Sequence, residues 1–539
     1  MVTDGFHNAG ECWKIICSDI KRNAHLLKAI KKFAFENKKP AEIVFGTSGW
    51  RGEIGTDFTF NNVRITTTAI IEMFRGENPE VMKALGVENF QEIRQRGVIV
   101  GHDNRFLGPE FASSVMGLLT SAGIKVYYAG ESITPELSAS IDMLRAACSI
   151  NLTPSHNPSN YSGFKFNPSD GGPADIEITT IIEKNANRLM AQNSVIEEIK
   201  PEGVCKINAT TLYEDFIKKR GLVDIKRIRR FIEDKDCFIC IDHIHGATRK
   251  KPNMLLGENS KIEYFRTNDD YLFGGVPPEP SEKNMKIVMD ALKKRPSRLK
   301  LGVIMDPDGD RIRFTDGETD ISMNHFGAMA LHFLHTYKNI SGVLVKSVAT
   351  SNFGNAVARG LGIPVRETAV GFKNFRPYLL QGAKERAIVA YEESDGISGY
   401  NNTLEKDAMF GLFLAIEMMS VMDKNLGKYL SELEKEFGAF SPKRAGVEVD
   451  RSLAGKLLSQ KLSVLKNTLA VGNRINTGKI IKSLITVDGI KAVLDDDSWF
   501  LIRPSGTEPK VRLYVETRSP GNPDDLINLA ETITRRALM

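Results

Sequence analysis

Six cysteines in 539 residues, at positions 12, 17, 148, 205, 237 and 240, are too few and too scattered for a disulfide framework. That sets aside the small stapled scaffolds and fits a reducing, cytoplasmic setting. Only Cys237 and Cys240 form a C-x-x-C, and they lie inside Cys237-Phe-Ile-Cys-Ile-Asp242, which reads as a buried strand. A zinc site would need a second ligand pair at suitable spacing, and there is none. Long apolar runs are missing too: nothing approaches the roughly 18 to 20 residues of a membrane span, and no charged stretch followed by an apolar one opens the chain. Neither membrane insertion nor secretion by that route is expected. A large charge of one sign is also lacking. The net charge of +5 comes from 72 basic and 67 acidic residues, which argues against nucleic acid as a partner and leaves an anionic small molecule open.

What remains is an ordinary globular composition, 42% hydrophobic and 26% charged. The chain is too long for one core, and at roughly 100 to 200 residues per domain it divides into about three to five domains. Residues 1–40 precede the first strong strand signal. Within them, Lys21 to Lys38 places Leu26, Leu27, Ile30, Phe33 and Ala34 on one helical face, the pattern of an added helix packing on the body. Its removal is expected to cost stability and to leave the chemistry intact. From Ile43 onward short β-branched runs alternate with amphipathic stretches: Gly97-Val-Ile-Val-Gly101, a helix from about Pro109 to Ala122, then Ile124-Lys-Val-Tyr-Tyr128. The same order returns around Phe238 to Asp242 with Leu301 to Met305, and around Gly342 to Lys346 with Ile363 to Arg366 and Ala387 to Tyr391. Three α/β domains in series are predicted, then a smaller α+β domain around an antiparallel sheet. Boundaries follow at 41–205, 206–320, 321–440 and 441–539.

Four constellations carry chemistry. Thr153-Pro-Ser155-His156-Asn-Pro158, followed by Gly163-Phe-Lys165, holds a serine on a rigid turn between two prolines, so that its hydroxyl is expected to be presented rather than buried. Such a serine needs a base, or must already carry the group to be transferred. Asp306-Pro-Asp308-Gly-Asp310-Arg311 follows an apolar strand; carboxylates at every second position on a tight loop converge on one hard cation, Mg²⁺ by ligand chemistry. Arg311 and the lack of a glutamate at the twelfth loop position weigh against a calcium loop. Arg503-Pro-Ser505-Gly506-Thr507-Glu-Pro-Lys510, between two strands, offers amides, hydroxyls and a guanidinium fork, the donors a phosphate dianion needs. Glu392-Glu-Ser394-Asp-Gly396 ends an apolar stretch and can hydrogen-bond vicinal sugar hydroxyls, although alone it reads better as a solvated acidic loop. His332 and His335, on an amphipathic helix, read as packed or surface residues, and His243 and His245 lack a matching metal cluster.

Together these loops, in this order from about Val44 to the C-terminus, resemble the α-D-phosphohexomutase superfamily of phosphoglucomutases and phosphomannomutases. Phe45-Gly-Thr-Ser-Gly-Trp-Arg51-Gly52, Gly101-His-Asp-Asn-Arg105, Asp242 to Gly246 and Val370-Gly371-Phe372-Lys373 fit the same family. The resemblance implies a heart-shaped, four-domain molecule with a central cleft, three similar α/β domains with mixed sheets followed by the α+β domain. It implies phospho-Ser155 as donor, Mg²⁺ held by Asp306, Asp308, Asp310 and a phosphoseryl oxygen, and Arg51 beside the phosphoserine. It further implies that Arg503, Ser505, Gly506 and Thr507 grip the substrate phosphate while Glu392, Ser394 and Gly371 with its neighbours read the sugar. The implied reaction runs through a hexose 1,6-bisphosphate, glucose 1,6-bisphosphate for a glucose enzyme, which turns over in the cleft.

Arg51, Lys165 and Arg311 are credible charge stabilisers, and His156 or Lys165 are the candidates nearest in sequence for the hydroxyl proton. Some family members carry a histidine in the sugar loop where this chain has Gly396, which leaves that assignment open. The sugar loop, the Gly-Thr-Ser-Gly opening and the stretch Asn167 to Ala174 look closest to phosphoglucomutases, so glucose phosphate is the expected substrate. Mannose, glucosamine and pentose phosphates stand as alternatives, as do a silent sugar-phosphate-binding protein and a Mg²⁺-dependent phosphatase. Partners beyond small sugar phosphates are not expected, and either a monomer or a homodimer is compatible.

Overall fold

The computed structural model describes residues 6–46, 49–450, 453, 456–475, 478–505, 509–519 and 521–538. The chain divides into two compact units, Met1–Asp320 with Gly396–Leu426, and Ile321–Asp395 with Gly427–Met539.

In the first unit, one sheet runs in the order Trp50–Glu53, Tyr161–Asn167, Cys148–Leu152, Val98–His102, Val126–Glu131, Cys205–Lys206. Its first two pairings are antiparallel and the rest parallel. Parallel neighbours require crossovers, which the helices Gly108–Ser121 and Thr134–Leu144 supply. A second sheet sets Ile312–Thr315 antiparallel to Leu299–Met305, which is followed by parallel Cys237–Asp242 and Ile262–Phe265. Both sheets are mixed, as expected. Cys237 and Cys240 are buried in their strand, so the C-x-x-C is a core feature.

In the second unit, Val365–Thr368, Val343–Ser347 and Ala387–Glu392 are parallel neighbours. The C-terminal sheet is antiparallel throughout: Phe440–Glu448, Lys510–Arg518, Trp499–Pro504, Ile490–Leu494, Ile481–Ile485. Alternation of side chains gives this sheet two apolar faces. Val511, Leu513 and Val515 pack with Phe500, Ile502 and the terminal helix Pro523–Leu538, whereas Trp499, Leu501 and Tyr514 pack on Val348 and Ala349. Among the described residues no helix is long and apolar enough to cross a membrane.

The N-terminal segment differs from the single helix expected between Lys21 and Lys38. A helix Ala9–Ser18, capped by the Asn8 side chain, precedes it, and the expected helix is broken into Ile20–Asn23, a 3-10 turn Ala24–Leu26, and Leu27–Glu36. The predicted face is correct: Leu26, Ile30 and Ala34 are buried, and Leu27 and Phe33 pack at the edge of the same core. Cys12, Trp13 and Ile16 join that core, and Trp13 Nε1 donates to the Ile54 carbonyl at 2.9 Å. Trp13→Ala is therefore expected to cost about 3 to 5 kcal/mol of stability, the usual range for a buried large aromatic. Turnover of the folded variant should match the parent, which denaturant titration beside a kinetic assay will check.

Candidate active site

The chemistry-bearing loops share one origin. Thr153 to Pro158 follows the parallel strand Cys148–Leu152, Asp306 to Arg311 follows Leu299–Met305, and Asp103 to Arg105 follows Val98–His102. Gly371 to Lys373 and Glu393 to Asp395 likewise follow the parallel strands Val365–Thr368 and Ala387–Glu392. Ligands of open α/β sheets bind outside the carboxyl ends of the strands, so each unit carries its candidate residues at the ligand-binding edge of its own sheets.

Ser155 sits at φ 56, in the left-handed region that a non-glycine residue seldom occupies without a reason. The reason is an organised cradle. Ser155 N donates to Thr153 Oγ1 at 2.9 Å, and Thr153 Oγ1 donates to Asp103 Oδ2 at 2.6 Å. Arg105, fully buried beside Asp103 and over the Phe273 ring, donates to the carbonyls of Ser155, Asn157, Pro158 and Tyr161. Burial lowers its guanidinium to about 10, partly offset by Asp103. Gly163 passes so close that a Cβ there would lie 2.4 Å from the Thr153 carbonyl.

The expected exposed hydroxyl is not found. Ser155 is buried, its Oγ 2.9 Å from Asp306 Oδ2, 3.5 Å from Asp310 Oδ1 and 3.3 Å from His156 Nδ1. The aspartate loop closes over the turn that the prolines shape, and Thr153 and Arg105 hold the backbone of Ser155. Asn157 Oδ1 accepts from Arg51 at 2.7 Å. Arg51 lies opposite Gly163 on the neighbouring strand, and burial followed by Arg311 lowers its guanidinium.

Asp306, Asp308 and Asp310 are all buried, with one oxygen of each within 4.8 Å of the others. Burial, then Asp308 and Asp310, raises the Asp306 carboxyl well above its ordinary value. Asp310 is held well below its ordinary value although burial opposes this, because Lys406, Lys165 and Arg311 surround it. Lys165 Nζ bridges Asp308 at 2.7 Å and Asp310 at 3.1 Å; these carboxylates and Glu405 outweigh burial and raise the lysine, which stays charged. His156 is shifted well below its ordinary value, by burial first and then by Arg311 and Arg51. Asp308 Oδ2 also accepts from Thr134 at 2.8 Å, but Asp308 Oδ1 is buried with no hydrogen-bond partner among the described residues. An orphaned carboxylate oxygen inside a three-carboxylate cluster is what a hard divalent cation would satisfy, so the residues present fit Mg²⁺.

Sequence reasoning missed several participants. Lys406 Nζ lies 3.0 Å from Asp310 Oδ2, yet nothing in Glu405-Lys406-Asp407 signals an active-site lysine, since folding alone brings it there. Thr134, Asp103 and Arg105 were equally unassigned, although an Asp-x-Arg directly after a parallel strand was the available signal. Ala247 N donates to the Pro307 carbonyl at 2.7 Å, so the loop after Asp242 supports the aspartate loop from below. His243 in that loop is fully buried, bonded through Nδ1 to Thr248, and stacked on Tyr264. Burial, then Arg249, lowers it to about 3, against an ordinary value near 6.5 in an unfolded chain. Between those values the unfolded chain binds a proton that the folded one refuses, so stability falls as pH drops through this window. His243→Gln is expected to flatten the acid limb of stability against pH, measured by urea midpoints.

The second unit holds its own cluster. Glu392 is buried and accepts from Gly371 N at 2.7 Å through Oε1, while Phe372 is buried and Lys373 and Ser394 are half-buried. Arg503 Nε pairs with Asp488 at 2.7 Å, and Ser505 is buried with its amide on the Lys510 carbonyl. Thr47, Ser48, Gly506 and Thr507 lie outside the described residues. His332 bonds to Tyr429 and His335 to the Ile340 carbonyl, both packed as expected.

Comparison with known proteins decides the family. Models of the phosphoglucomutase/phosphomannomutase domains I, II, III and IV match residues 42–193, 212–319, 322–437 and 447–526. The chain belongs to that family. Members of the phosphoglucomutase/phosphomannomutase family are mutases, and this chain is an enzyme of that type. It is 26% identical to a phosphoglucomutase of Staphylococcus haemolyticus, covering 88% of this chain and 90% of that one. It is 25% identical to a phosphoglucosamine/phosphogalactosamine mutase of Sulfurisphaera tokodaii, covering 90% and 97%. A solved structure from Thermus thermophilus, described as a phosphomannomutase, superposes with a TM-score of 0.72 at 26% identity, covering 93% and 99%. The antiparallel strands Ile481–Ile485, Ile490–Leu494, Trp499–Pro504 and Lys510–Arg518 fall in the domain IV match, which begins near the end of their neighbour Phe440–Glu448.

Proposed function

We propose that the chain interconverts glucose 1-phosphate and glucose 6-phosphate through phospho-Ser155 and a glucose 1,6-bisphosphate intermediate. The observation that carries this reading is the contact of Ser155 Oγ with a buried carboxylate triad that has an unsatisfied oxygen. A hydrolytic serine is served by a base and an oxyanion pocket, whereas a serine set among three aspartates and several cations suits a stored phosphoryl group. Mg²⁺ held by Asp306, Asp308 and Asp310 would neutralise the transferring phosphoryl group.

The residues of the chain do the rest. Arg503 and Ser505 bind the substrate's own phosphate, and Glu392 with the Gly371 to Lys373 loop orients the ring. A substrate hydroxyl oxygen then forms a bond to phosphorus as the bond from Ser155 Oγ breaks; the hydroxyl proton leaves to a base and Oγ takes up a proton. Lys165, engaged by two carboxylates, serves as a charge stabiliser; His156, with Nδ1 at 3.3 Å from Oγ, is the group placed to exchange the serine proton, giving it as Oγ leaves and taking it back in the return step. After the bisphosphate turns, the same step in reverse returns its other phosphate to Ser155 Oγ.

The wording of the sugar loop, Glu392-Glu-Ser-Asp-Gly396, supports glucose over mannose or amino sugars. The test is conversion of glucose, mannose, glucosamine and pentose 1-phosphates with Mg²⁺ and a trace of the matching bisphosphate. Fastest turnover of glucose 1-phosphate is expected. A higher kcat/KM for another sugar would reassign the substrate, release of free phosphate would make the chain a phosphatase, and no reaction with any of them would leave a silent binder.

A further inference from the structure

The strand Trp499–Pro504 lies between Ile490–Leu494 and Lys510–Arg518, with Arg503 directly opposite Arg512. Cross-strand partners share a face, so two residues of like charge stand on one side of this sheet, and a nearby carboxylate eases that pairing. Asp488 is a carboxylate that reaches Arg503. It stands in the turn between Ile481–Ile485 and Ile490–Leu494, next to Gly489 at φ 83. A Cβ on Gly489 would lie 2.5 Å from the Ile502 carbonyl, so this turn is pressed against the strand that carries Arg503.

Asp488 Oδ2 accepts two hydrogen bonds, from Arg503 Nε at 2.7 Å and from the backbone N–H of Val370 at 3.1 Å. The next residue along, Gly371, gives its own N–H to Glu392 Oε1. A continuous path thus runs from the carboxylate assigned to the sugar, through two adjacent backbone amides, to the guanidinium assigned to the phosphate. The apolar contacts beneath it, Val348, Ala349 and Val370 with Trp499, Leu501 and Tyr514, give that path a packed floor. Asp488 uses Nε of Arg503, whereas bidentate recognition of a phosphate can be made with the two terminal nitrogens, which carry four of the roughly five donors of the group.

We propose that Asp488 is a positioning residue that fixes the Arg503 guanidinium and the Val370–Gly371 loop in one relation, so that the phosphate and the sugar ring are read as a single rigid ligand. This rests on the function proposed above. A sugar phosphate has a fixed span between its phosphate and its ring hydroxyls, and groups preset to that span bind it without ordering cost.

The test compares Asp488→Ala and Asp488→Asn in the full chain with Mg²⁺ and glucose 1,6-bisphosphate. Asp488→Ala is expected to raise KM for the sugar phosphate about tenfold or more and to weaken competitive inhibition by inorganic phosphate, with a much smaller change in kcat. Asp488→Asn keeps an acceptor in place and should recover most of the lost KM. Unchanged KM and unchanged phosphate inhibition in folded Asp488→Ala would overturn the proposal, as would equal losses in kcat and KM terms that asparagine does not rescue. Should the alanine variant fail to fold, Asp488→Ser, with a shorter and uncharged side chain, takes its place: a rise in KM of about tenfold that Asp488→Asn largely reverses supports the role, and an unchanged KM refutes it. A parent enzyme inactive on every sugar phosphate would instead refute the function itself, which keeps the two failures distinct.

Discussion

Ser155→Ala is expected to lower kcat for sugar-phosphate isomerisation by at least about a thousandfold while leaving the fold intact, the scale seen when a covalent nucleophile is removed. The loss should be large because Oγ is the atom that contacts both Asp306 and Asp310, and alanine leaves nothing there to carry the phosphoryl group. The fold should survive because the cradle addresses the backbone of residue 155: Thr153 accepts its amide and Arg105 donates to its carbonyl, and neither bond involves the side chain. Alanine also removes one partner of the Asp306 carboxylate, so a small stability change is expected from that buried site. Far-UV circular dichroism and a denaturant midpoint close to the parent, together with absent turnover, would show that the loss is chemical.

Removal of the metal is expected to have an effect of similar size. Three buried carboxylates face Lys165, Lys406 and Arg311, so the loop is close to electrically balanced without any phosphoryl group. A phosphoryl on Ser155 adds about 1.5 to 2 negative charges at neutral pH, and a divalent cation restores the balance. Chelation should therefore stop turnover and, more specifically, should lower the melting temperature of the phosphorylated form more than that of the unphosphorylated form. Added Mg²⁺ should reverse both. Asp308→Asn should mimic chelation, with kcat reduced about a hundredfold or more, because it alters the residue whose Oδ1 has no partner among the described residues. Equal melting shifts in the two forms would mean that the triad serves the fold and not the phosphoryl group.

Much of this was legible in the sequence because it is local. Alternating β-branched runs announce parallel strands, and spaced carboxylates on a glycine turn announce a cation loop; both signals lie within a few residues of each other. The Asp306 to Arg311 loop and the buried C-x-x-C followed from such patterns. The burial of Ser155 did not, since prolines on either side describe the turn and say nothing of the loop, about 150 residues distant in sequence, that closes on it. Lys406 and Asp488 were invisible for the same reason: each meets its partner only through tertiary folding. Arg105 was written in plain view, and what hid its role was its four acceptors, all backbone carbonyls and therefore silent in the sequence. The first helix, Ala9–Ser18, went unread because its apolar positions are interleaved with Cys12 and Cys17, which periodicity does not score as a strong stripe.

The most direct measurement is of Ser155 itself. Protein incubated with Mg²⁺ and glucose 1,6-bisphosphate carrying radiolabelled phosphate should take up label on Ser155, located by peptide mapping. A chase with unlabelled glucose 1-phosphate should move that label into sugar phosphate. Label that settles on another residue, or that leaves only as inorganic phosphate, would contradict the account.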